Sequence, residues 1–229
     1  MKNTYDDIEK VNGIWIPKGD EFFKENLKKD HVFQRSHLKR SLSHMKVDFK
    51  YAYDIGAHVG TWSVFLAGLF EKVIAFEPCK LNYECLVKNT SKYSNVYTYN
   101  LALSNTHRHN EVLFSGYRNS GMHYLNRDVN IDENKHTVLE YINTSPLDDM
   151  ISTNSNIMKE PSFIKIDVEG HEYEVLKGMN RTLTLFKGVI VVEEGPNTNP
   201  GKVPSHYLVR EYGFEKVDKI KDDIILIKQ

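Results

Sequence analysis

The sequence predicts an α/β protein with a mostly parallel sheet, and three observations support this prediction. Short apolar segments alternate with amphipathic segments of helical length from about residue 50 onward, a pattern typical of βαβ units. The most apolar of these segments are nearly continuous runs, which indicates strands buried on both faces. The 229 residues are enough for one such domain with a sizeable core and few for two.

The first 48 residues do not follow this alternation, and we predict a helical extension or lid there. After the apolar knot Ile14–Ile16, Asp20 is suited to cap a helix that runs to about Met45. This helix is basic. A solvated surface face is the ordinary interpretation, and a lid that attracts an anionic substrate is the alternative. The main domain is predicted over residues 49–229.

The next part of the chain contains the first parallel strands. We predict strands at Tyr51–Ile55, Lys72–Phe76 and Val96–Asn100, with helices near Gly60–Gly68 and Leu81–Thr90. Each helix follows a strand, so the strands are expected to lie parallel in one sheet.

Residues of about 103–145 are polar and rich in Asn and His, and they interrupt the alternation. Strand-like pieces at Glu111–Phe114 and His136–Ile142 predict a hairpin-like insertion. The "SPLDDM" segment then predicts a short helix, because proline is favoured in a first helical turn.

The C-terminal half returns to buried strands. "SFIKID" and "GVIVVEE" are predicted strands, with a helix from about Glu169 to Gly178 between them. "GFEKVD" and "DIILIK" are separated by a charged turn and are expected to pair antiparallel at the sheet edge.

Composition limits the functional classes. With 40% hydrophobic residues, 27% charged residues and a net charge of −1, the chain is typical of a globular protein without bulk attraction to nucleic acid or anionic membranes. Cys79 and Cys85 are predicted to be free thiols in a reducing compartment. The polar N-terminus lacks a signal-peptide pattern, and no apolar run is long enough to span a membrane. We therefore expect a cytoplasmic protein.

A glycine-containing loop follows the strand that ends at Ile55. Gly56 and Gly60 permit a tight turn and close approach of the backbone to a ligand. Asp54 ends the strand, and Glu77 ends the next one, roughly twenty residues later, where a carboxylate suits the hydroxyls of a ribose. These signals predict a nucleoside site; a tight turn without a ligand is the alternative.

The loop has the spacing G-x-x-x-G and lacks the third glycine of the dinucleotide fingerprint. An acid on the first strand would also repel a pyrophosphate, whereas it suits an ammonium group. A ligand with an amino-acid end and a ribose end fits better, and we predict S-adenosylmethionine as the cofactor.

Several motifs resemble the FkbM-type class I S-adenosylmethionine-dependent methyltransferases. These motifs span residues of about 50–195 and occur in the family's order: "YDIGAHVGTWSVFLA", "VIAFEPCKLNYECLVKN", "YNLALSN", "SPLDDM" and "PSFIKIDVEGHEYEVLKG". The resemblance implies a Rossmann-like class I methyltransferase fold with a seven-stranded, mostly parallel sheet whose last strand is antiparallel. It also implies methyl transfer, usually to oxygen.

The resemblance further implies roles for individual residues. Residues expected near the methionyl part of the cofactor are Asp54, Gly56, Ala57 and Gly60. His58, in the same loop, is also predicted to bind the cofactor, although the family pattern does not define its chemistry. Glu77 would hold the ribose hydroxyls, followed by the turn residue Pro78. Asn100 and Ala102 would lie by the adenine, and Asp167 near the methyl group.

Candidate catalytic residues cluster around "KIDVEGHE". Methyl transfer to a hydroxyl requires alignment of the acceptor and removal of its proton, so we predict Asp167, Glu169, His171 and Glu193 as catalytic candidates. Each also has a structural interpretation, as a helix cap, a first-turn acid or a hydrogen-bonded histidine. Strand alternation allows either Glu193 or Glu194 to face the site. Lys165 is expected to pair with an acid across the sheet.

We predict no required metal, although acids and histidines near the strand ends could offer ligands. His107 and His109 belong to the same alternative. Candidates for the acceptor site lie in the insertion, in a loop near Asn119 and Ser120: Tyr117, Arg118, His123 and Tyr124.

The leading hypothesis is therefore O-methylation of a small molecule or carbohydrate hydroxyl, with no nucleic acid or membrane partner. A nicotinamide-dependent oxidoreductase is a second hypothesis, disfavoured by the missing glycine. A non-catalytic binding module that retains the fold is a third.

Overall fold

The computed structural model of the chain describes residues 7–29, 34–115, 119–125, 138–195 and 198–229. Its strands, in chain order, are β1 Ile8–Val11, β2 Ile14–Pro17, β3 Tyr51–Ile55, β4 Lys72–Phe76, β5 Val96–Tyr99, β6 Ala102–Leu103, β7 Arg108–Phe114, β8 Tyr124–Leu125, β9 Val138–Ser145, β10 Phe163–Ile166, β11 Gly188–Glu193, β12 Glu215–Ile220 and β13 Asp223–Lys228. Its helices are α1 Glu21–Lys29, α2 Arg35–Leu42, α3 Thr61–Ala67, α4 Lys80–Thr90, α5 Leu147–Thr153, α6 Glu172–Lys177, α7 Asn180–Leu185 and α8 Pro204–Tyr212.

The large sheet has the strand order β12-β13-β11-β10-β3-β4-β5. All neighbours from β5 to β11 pair in parallel, and β13 runs antiparallel between β11 and β12. The prediction of an α/β protein with a mostly parallel sheet is confirmed. Because parallel strands end at the same edge, the carboxyl ends of β3, β4, β10 and β11 meet there.

The core consists of two apolar layers, one on each face of this sheet. On one face, Tyr53 and Ile55 of β3 pack with residues of α5, α6, α7 and α8. On the other face, Ala52 packs with Trp62 and Leu66 of α3 and with Leu38 of α2. Burial on both faces explains why the strands are continuous apolar runs.

The insertion forms a second sheet of described strands in the order β6-β9-β7-β8. The antiparallel β7–β9 pair confirms the predicted hairpin-like pairing, with longer strands than the sequence indicated. His136, the predicted start of the second strand, lies outside the described residues, as do Tyr117 and Arg118.

The N-terminal segment differs from the predicted single helix. It begins with the β1–β2 hairpin, which the sequence analysis did not predict, and continues with two helices. One helix through to Met45 is wrong, because Gln34 has a left-handed φ of 57° just before α2. Residues 30–33 lie outside the described part. Asp20 caps α1 as predicted: its Oδ1 accepts the Phe23 N–H at 2.8 Å.

Both cysteines are buried and free, as predicted. In the described parts of the chain, no helix has the length and apolar character needed to cross a bilayer.

Candidate active site

The carboxyl ends of the central strands open into a cavity of about 230 Å³. Its walls combine the glycine loop, the ends of β4, β10 and β11, and parts of the N-terminal segment and the insertion. The predicted site residues that line it are Gly56, Ala57, His58, Glu77, Pro78, Ala102, Asp167, Glu169, His171 and Glu193. Asp54, Gly60 and Asn100 are outside the set of described residues that line it. All four catalytic candidates therefore share one cavity with most of the predicted cofactor-binding residues.

Gly56 is where the glycine loop crosses the end of β10. Its φ is 76°, and a Cβ built there would lie 1.9 Å from the backbone oxygen of Asp167. Any side chain would therefore push the loop away from the strand end that carries Asp167. A glycine is required at position 60 for a different reason, since a Cβ there would lie 2.6 Å from Leu86 Cδ1 of α4. Gly56 thus shapes the cavity, and Gly60 lets two helices pack.

Asp54 lies behind the glycine loop. Its side chain is fully buried, and its Oδ2 accepts a hydrogen bond from Ser63 Oγ at 2.6 Å. Its Oδ1 accepts no hydrogen bond within the described part of the chain and lies 3.7 Å from Lys165 Nζ. Burial raises the pKa of Asp54, and the nearby ammonium opposes that effect. Direct contact of this carboxylate with a ligand stays a prediction.

Glu77 presents its carboxylate to the cavity from the end of β4. Its Oε2 accepts the His58 N–H at 2.8 Å, and its Oε1 accepts the Cys79 N–H at 2.9 Å. Burial raises the pKa of Glu77 to about 7 despite these two bonds. Asn100 holds this turn from outside, donating to the carbonyls of Glu77 and Pro78 at 2.9 and 2.8 Å.

Asn82 of α4 is a cavity residue that the sequence analysis did not identify. Its Nδ2 donates to the Ser120 carbonyl at 2.9 Å, while its buried Oδ1 has no hydrogen-bond partner among the described residues. Buried acceptors are seldom left unpaired, so this oxygen suits a ligand that brings a hydroxyl or N–H. Asn82 lies within a motif that resembles the family, but its place in the cavity depends on how α4 packs beneath the insertion.

Three carboxylates form an acidic cluster on the opposite side of the cavity. Asp167 follows β10, Glu193 ends β11, and Glu169 lies in the turn after β10. One oxygen from each lies within 4.8 Å of the others. Burial, and next the negative charge of Asp167, raise the pKa of Glu169 to about 8 and that of Glu193 to about 9. Among the described residues, these three carboxylates are close enough together to hold a metal ion.

The turn that carries Glu169 differs from the predicted helix start. Glu169 has a left-handed φ of 53°, and α6 begins only at Glu172. Glu172 Oε1 accepts the N–H groups of Val168 and Gly170, both at 3.0 Å, and so holds the turn closed. Glu172 is not among the predicted site residues, although an acid in a first helical turn could have indicated this role.

The histidine and second glutamate candidates have clear partners. His171 is buried at the start of α6, with its Nε2 3.0 Å from Ser104 Oγ. Glu194 Oε1 accepts the N–H of Ser205, in the first turn of α8, at 2.6 Å. Strand alternation therefore directs Glu193, and not Glu194, into the cavity.

The N-terminal segment and the insertion meet over the cavity at a contact that we call the Ser120 junction (Asp20, His58 and Ser120). The Ser120 N–H donates to Asp20 Oδ2 at 3.0 Å, and the Ser120 hydroxyl donates to the same oxygen. His58 Nε2 lies 2.6 Å from Ser120 Oγ. Because the hydroxyl hydrogen goes to Asp20, we assign the imidazole as the donor to Ser120 Oγ. Burial lowers the pKa of His58 to about 4.

The other insertion and histidine candidates are spread out. His123 lines the cavity, whereas Tyr124 stacks on Phe114 with ring centroids 5.6 Å apart. His107 Nε2 is exposed and lies 2.8 Å from Asp149 Oδ2, and His109 Nδ1 lies 3.2 Å from Asn143 Oδ1. The structure does not bring His107 or His109 to the described acidic cluster.

The strand order and the cavity at the strand ends define a methyltransferase-like α/β fold. The crystal structure of methyltransferase FkbM from Methylobacillus flagellatus KT matches it with a TM-score of 0.51 and 16% identity, covering 98% of this chain and 49% of that chain. A family model described as the methyltransferase FkbM domain matches residues 54–218, and the chain belongs to that family.

One curated relative carries a more specific name. The hexuronic acid methyltransferase AglP of Haloferax volcanii is 28% identical over 140 residues, which cover 61% of this chain and 54% of that protein. The chain thus spans about half the length of the relatives that it matches.

Proposed function

We propose that the protein is an S-adenosylmethionine-dependent methyltransferase that methylates a hydroxyl oxygen of a carbohydrate or another small molecule. One observation supports this most strongly. A single cavity joins Glu77 and the Asn82 oxygen, which has no hydrogen-bond partner among the described residues, on one side to the Asp167, Glu169 and Glu193 carboxylates on the other. This arrangement offers polar groups for a nucleoside and negative charge for a cation within one space.

The residues present fit this cofactor. Glu77 and Asn82 are suited to its ribose hydroxyls, and the apolar side chains of Phe76, Leu101 and Leu103 line the wall beside Glu77, where a flat ring system would pack. Carboxylates such as Asp167 suit the positive charge of its ammonium and sulfonium groups.

When bound, this cofactor supplies a methyl group on a positively charged sulfur. The chain's own residues must then align the acceptor hydroxyl and take its proton as the new C–O bond forms and the C–S bond breaks. We assign proton acceptance to Glu193, because it lies at the end of a strand, where a side chain is held more firmly than in a turn. Asp167 is already engaged by Lys165, and His171 by Ser104.

A carbohydrate acceptor has one further argument. The relative AglP is named for methylation of hexuronic acid, and sugar hydroxyls pair well with carboxylates such as Glu169 and Glu193. The N-terminal segment and the insertion, joined at the Ser120 junction, form the cover of this cavity in our proposal. They contribute Phe22, Phe23 and Gly121 to its lining.

The proposal is tested by isothermal titration with S-adenosylhomocysteine, the demethylated product. We expect micromolar binding by the wild-type protein, in line with typical cofactor affinities. Glu77→Gln should weaken binding about 10- to 100-fold, because a charged hydrogen-bond acceptor is lost. Glu71→Gln, on an exposed loop before β4, is the control and should bind normally. Absence of binding by the wild-type protein would refute the proposal.

The competing hypotheses predict different ligands. Saturable fluorescence changes with NADH, without binding of S-adenosylhomocysteine, would favour the oxidoreductase. Methyl transfer to any sugar in an acceptor screen would exclude a purely non-catalytic module.

A further inference from the structure

Lys165 is a buried lysine inside the central strand β10. Only 6% of its surface is exposed, and its Cα pairs in register with that of Asp54 on β3. Its Nζ donates to the Gly56 carbonyl at 2.6 Å and lies 3.4 Å from Asp167 Oδ2 and 3.7 Å from Asp54 Oδ1. The predicted pairing of this lysine with an acid across the sheet is confirmed.

Stability alone is a weak reason for a cation at this position. A buried ion pair often contributes less than well-packed apolar residues, unless hydrogen bonds satisfy every charged atom. Here Asp54 Oδ1 accepts no hydrogen bond from the described residues, so the pair is not an optimised bridge. The shortest contact of the ammonium is instead with the glycine loop, and Lys165 lines the cavity.

We propose that Lys165 is a positioning residue for methyl transfer, because its single ammonium group connects the glycine loop to the Asp167 carboxylate. The Gly56 carbonyl belongs to the glycine loop, and Asp167 belongs to the acidic cluster that it forms with Glu169 and Glu193. Lys165 thereby keeps the two halves of the cavity at a constant separation. This role rests on the proposed methyltransferase function.

The charges around Lys165 support this role. The carboxylates of Asp167, Asp54 and, further away, Asp223 raise its pKa against the opposing effect of burial, so the ammonium stays charged. In turn its positive charge lowers the pKa values of the cavity groups Glu77, Glu169, Glu193 and His58. Without it, Asp54 and Asp167 would face each other without a counter-charge.

Three variants separate positioning from stability. Lys165→Met removes the ammonium and leaves Asp54 buried without a counter-ion, so this variant is expected to lose stability. Asp54→Asn/Lys165→Met removes both charges and is expected to regain the wild-type melting temperature. Lys228→Met is the matched control. Lys228 lies in β13 and pairs with Gly188, at the end of β11 that is far from the cavity. Its Nζ donates to the carbonyls of Leu183 and Thr184 at 2.8 and 3.0 Å.

Each variant is measured by thermal unfolding, titration with S-adenosylhomocysteine, and the pH profile of methyl transfer. We expect the double variant to fold normally and, relative to Asp54→Asn alone, to bind S-adenosylhomocysteine about tenfold more weakly and to lose about 100-fold in kcat, as small misplacements of reacting groups do. The pH at which its rate rises should also be higher than in the wild-type protein, because removal of the Lys165 cation raises the pKa of nearby carboxyls. Lys228→Met should keep wild-type binding and profile.

The outcomes distinguish this role from the proposed function. A double variant with wild-type affinity and an unshifted pH profile would show that Lys165 only neutralises Asp54, which overturns the positioning role alone. A wild-type protein that fails to bind S-adenosylhomocysteine would overturn the proposed function and this role together.

Discussion

Glu193 illustrates how burial and neighbouring charge together set the chemistry of a single residue. Desolvation and then the carboxylates of Asp167, Glu169 and Glu172 raise its pKa to about 9, while Lys165 opposes the shift. A general base is most effective when its pKa lies near the working pH, so a carboxyl in this environment can accept a proton from a hydroxyl. The same group in water would be too weak a base.

The first residue-scale prediction concerns catalysis. Glu193 must be ionised to accept a proton, so kcat/KM should rise as the pH increases from about 7 toward 9. Glu193→Gln should lower kcat by about 10²- to 10⁴-fold, as is usual when a general base is removed. Glu194→Gln is the matched control. Glu194 is the next residue in the chain, but its carboxylate accepts the Ser205 N–H instead of facing the cavity. Equal losses in the two variants would contradict the assignment.

A second residue-scale prediction concerns stability without ligand. The folded-state pKa of Glu193 lies above its ordinary value of 4.5, so its protonation favours the folded state, and this contribution is lost as the pH rises toward about 9. Glu169 shifts in the same direction. The melting temperature should therefore fall between about pH 5 and pH 9, and the fall should be a few degrees smaller in Glu193→Gln, as a change of about 1 kcal/mol would produce. Scanning fluorimetry across this pH range checks it, and an identical slope in both proteins would contradict it.

At the scale of elements, the cavity depends on two turns with left-handed residues. Gly56 turns the chain after β3, and Glu169 and Gly170 turn it after β10. The first turn was predictable, because glycine is the residue that such a turn requires. The second was not predicted, since the helical pattern extended back to Glu169, a residue type that seldom adopts a left-handed φ. The Glu172 carboxylate accepts two N–H groups of this turn and so stabilises the turn in place of a first helical turn.

The Ser120 junction gives an element-scale prediction. Ser120→Ala removes the hydroxyl that connects Asp20 of the N-terminal segment to His58 of the glycine loop. If the contact between the N-terminal segment and the insertion loses about 1–2 kcal/mol of stabilisation, S-adenosylhomocysteine should dissociate about 5- to 30-fold faster. Trp62 lines the cavity and donates to Gln34 Oε1 at 2.8 Å, so stopped-flow tryptophan fluorescence can follow the release.

Ser91→Ala is the control for this experiment. Its hydroxyl is exposed at the end of α4 and donates to the nearby Lys88 carbonyl at 2.9 Å. An unchanged dissociation rate in Ser120→Ala would show that the junction does not limit exit from the cavity.

At the scale of the whole molecule, the cavity connects segments that lie far apart in the chain. β3, β10 and β11 carry its walls, and the same strands carry the core on both faces. A ligand that fills the cavity should therefore stabilise the fold as a unit. With S-adenosylhomocysteine at about 100 times its dissociation constant, linkage predicts about 2.7 kcal/mol of stabilisation.

This corresponds to a rise in melting temperature of about 5–10 °C for a chain of this size. At the same concentration Glu77→Gln should show a clearly smaller rise, and Glu71→Gln should match the wild-type protein. Scanning calorimetry with and without the ligand makes the comparison. No rise in the wild-type protein would contradict the proposed cofactor.

Much of the sheet could be read from local patterns. The bounds of β3 and β4 agree with the predictions residue for residue, because strands buried on both faces are mostly apolar and stand out from their polar flanks. The N-terminal hairpin was missed, since short strands at Ile8–Val11 and Ile14–Pro17 are stabilised by α1 and α4 and carry weak signals of their own.

The positions of glycines and acids along the chain already predicted a cavity at the strand ends and the kind of ligand that we propose for it. These features depend on strand polarity and backbone conformation, which neighbouring residues largely dictate. The burial of Asp54, the Asn82 oxygen without a partner in the described part of the chain and the contact of Asp20 with Ser120 became visible only in the folded chain. Asp20 and Ser120 are 100 residues apart in the chain. Contacts of this kind arise when separate elements pack, and packing depends on the whole core and not on any local pattern.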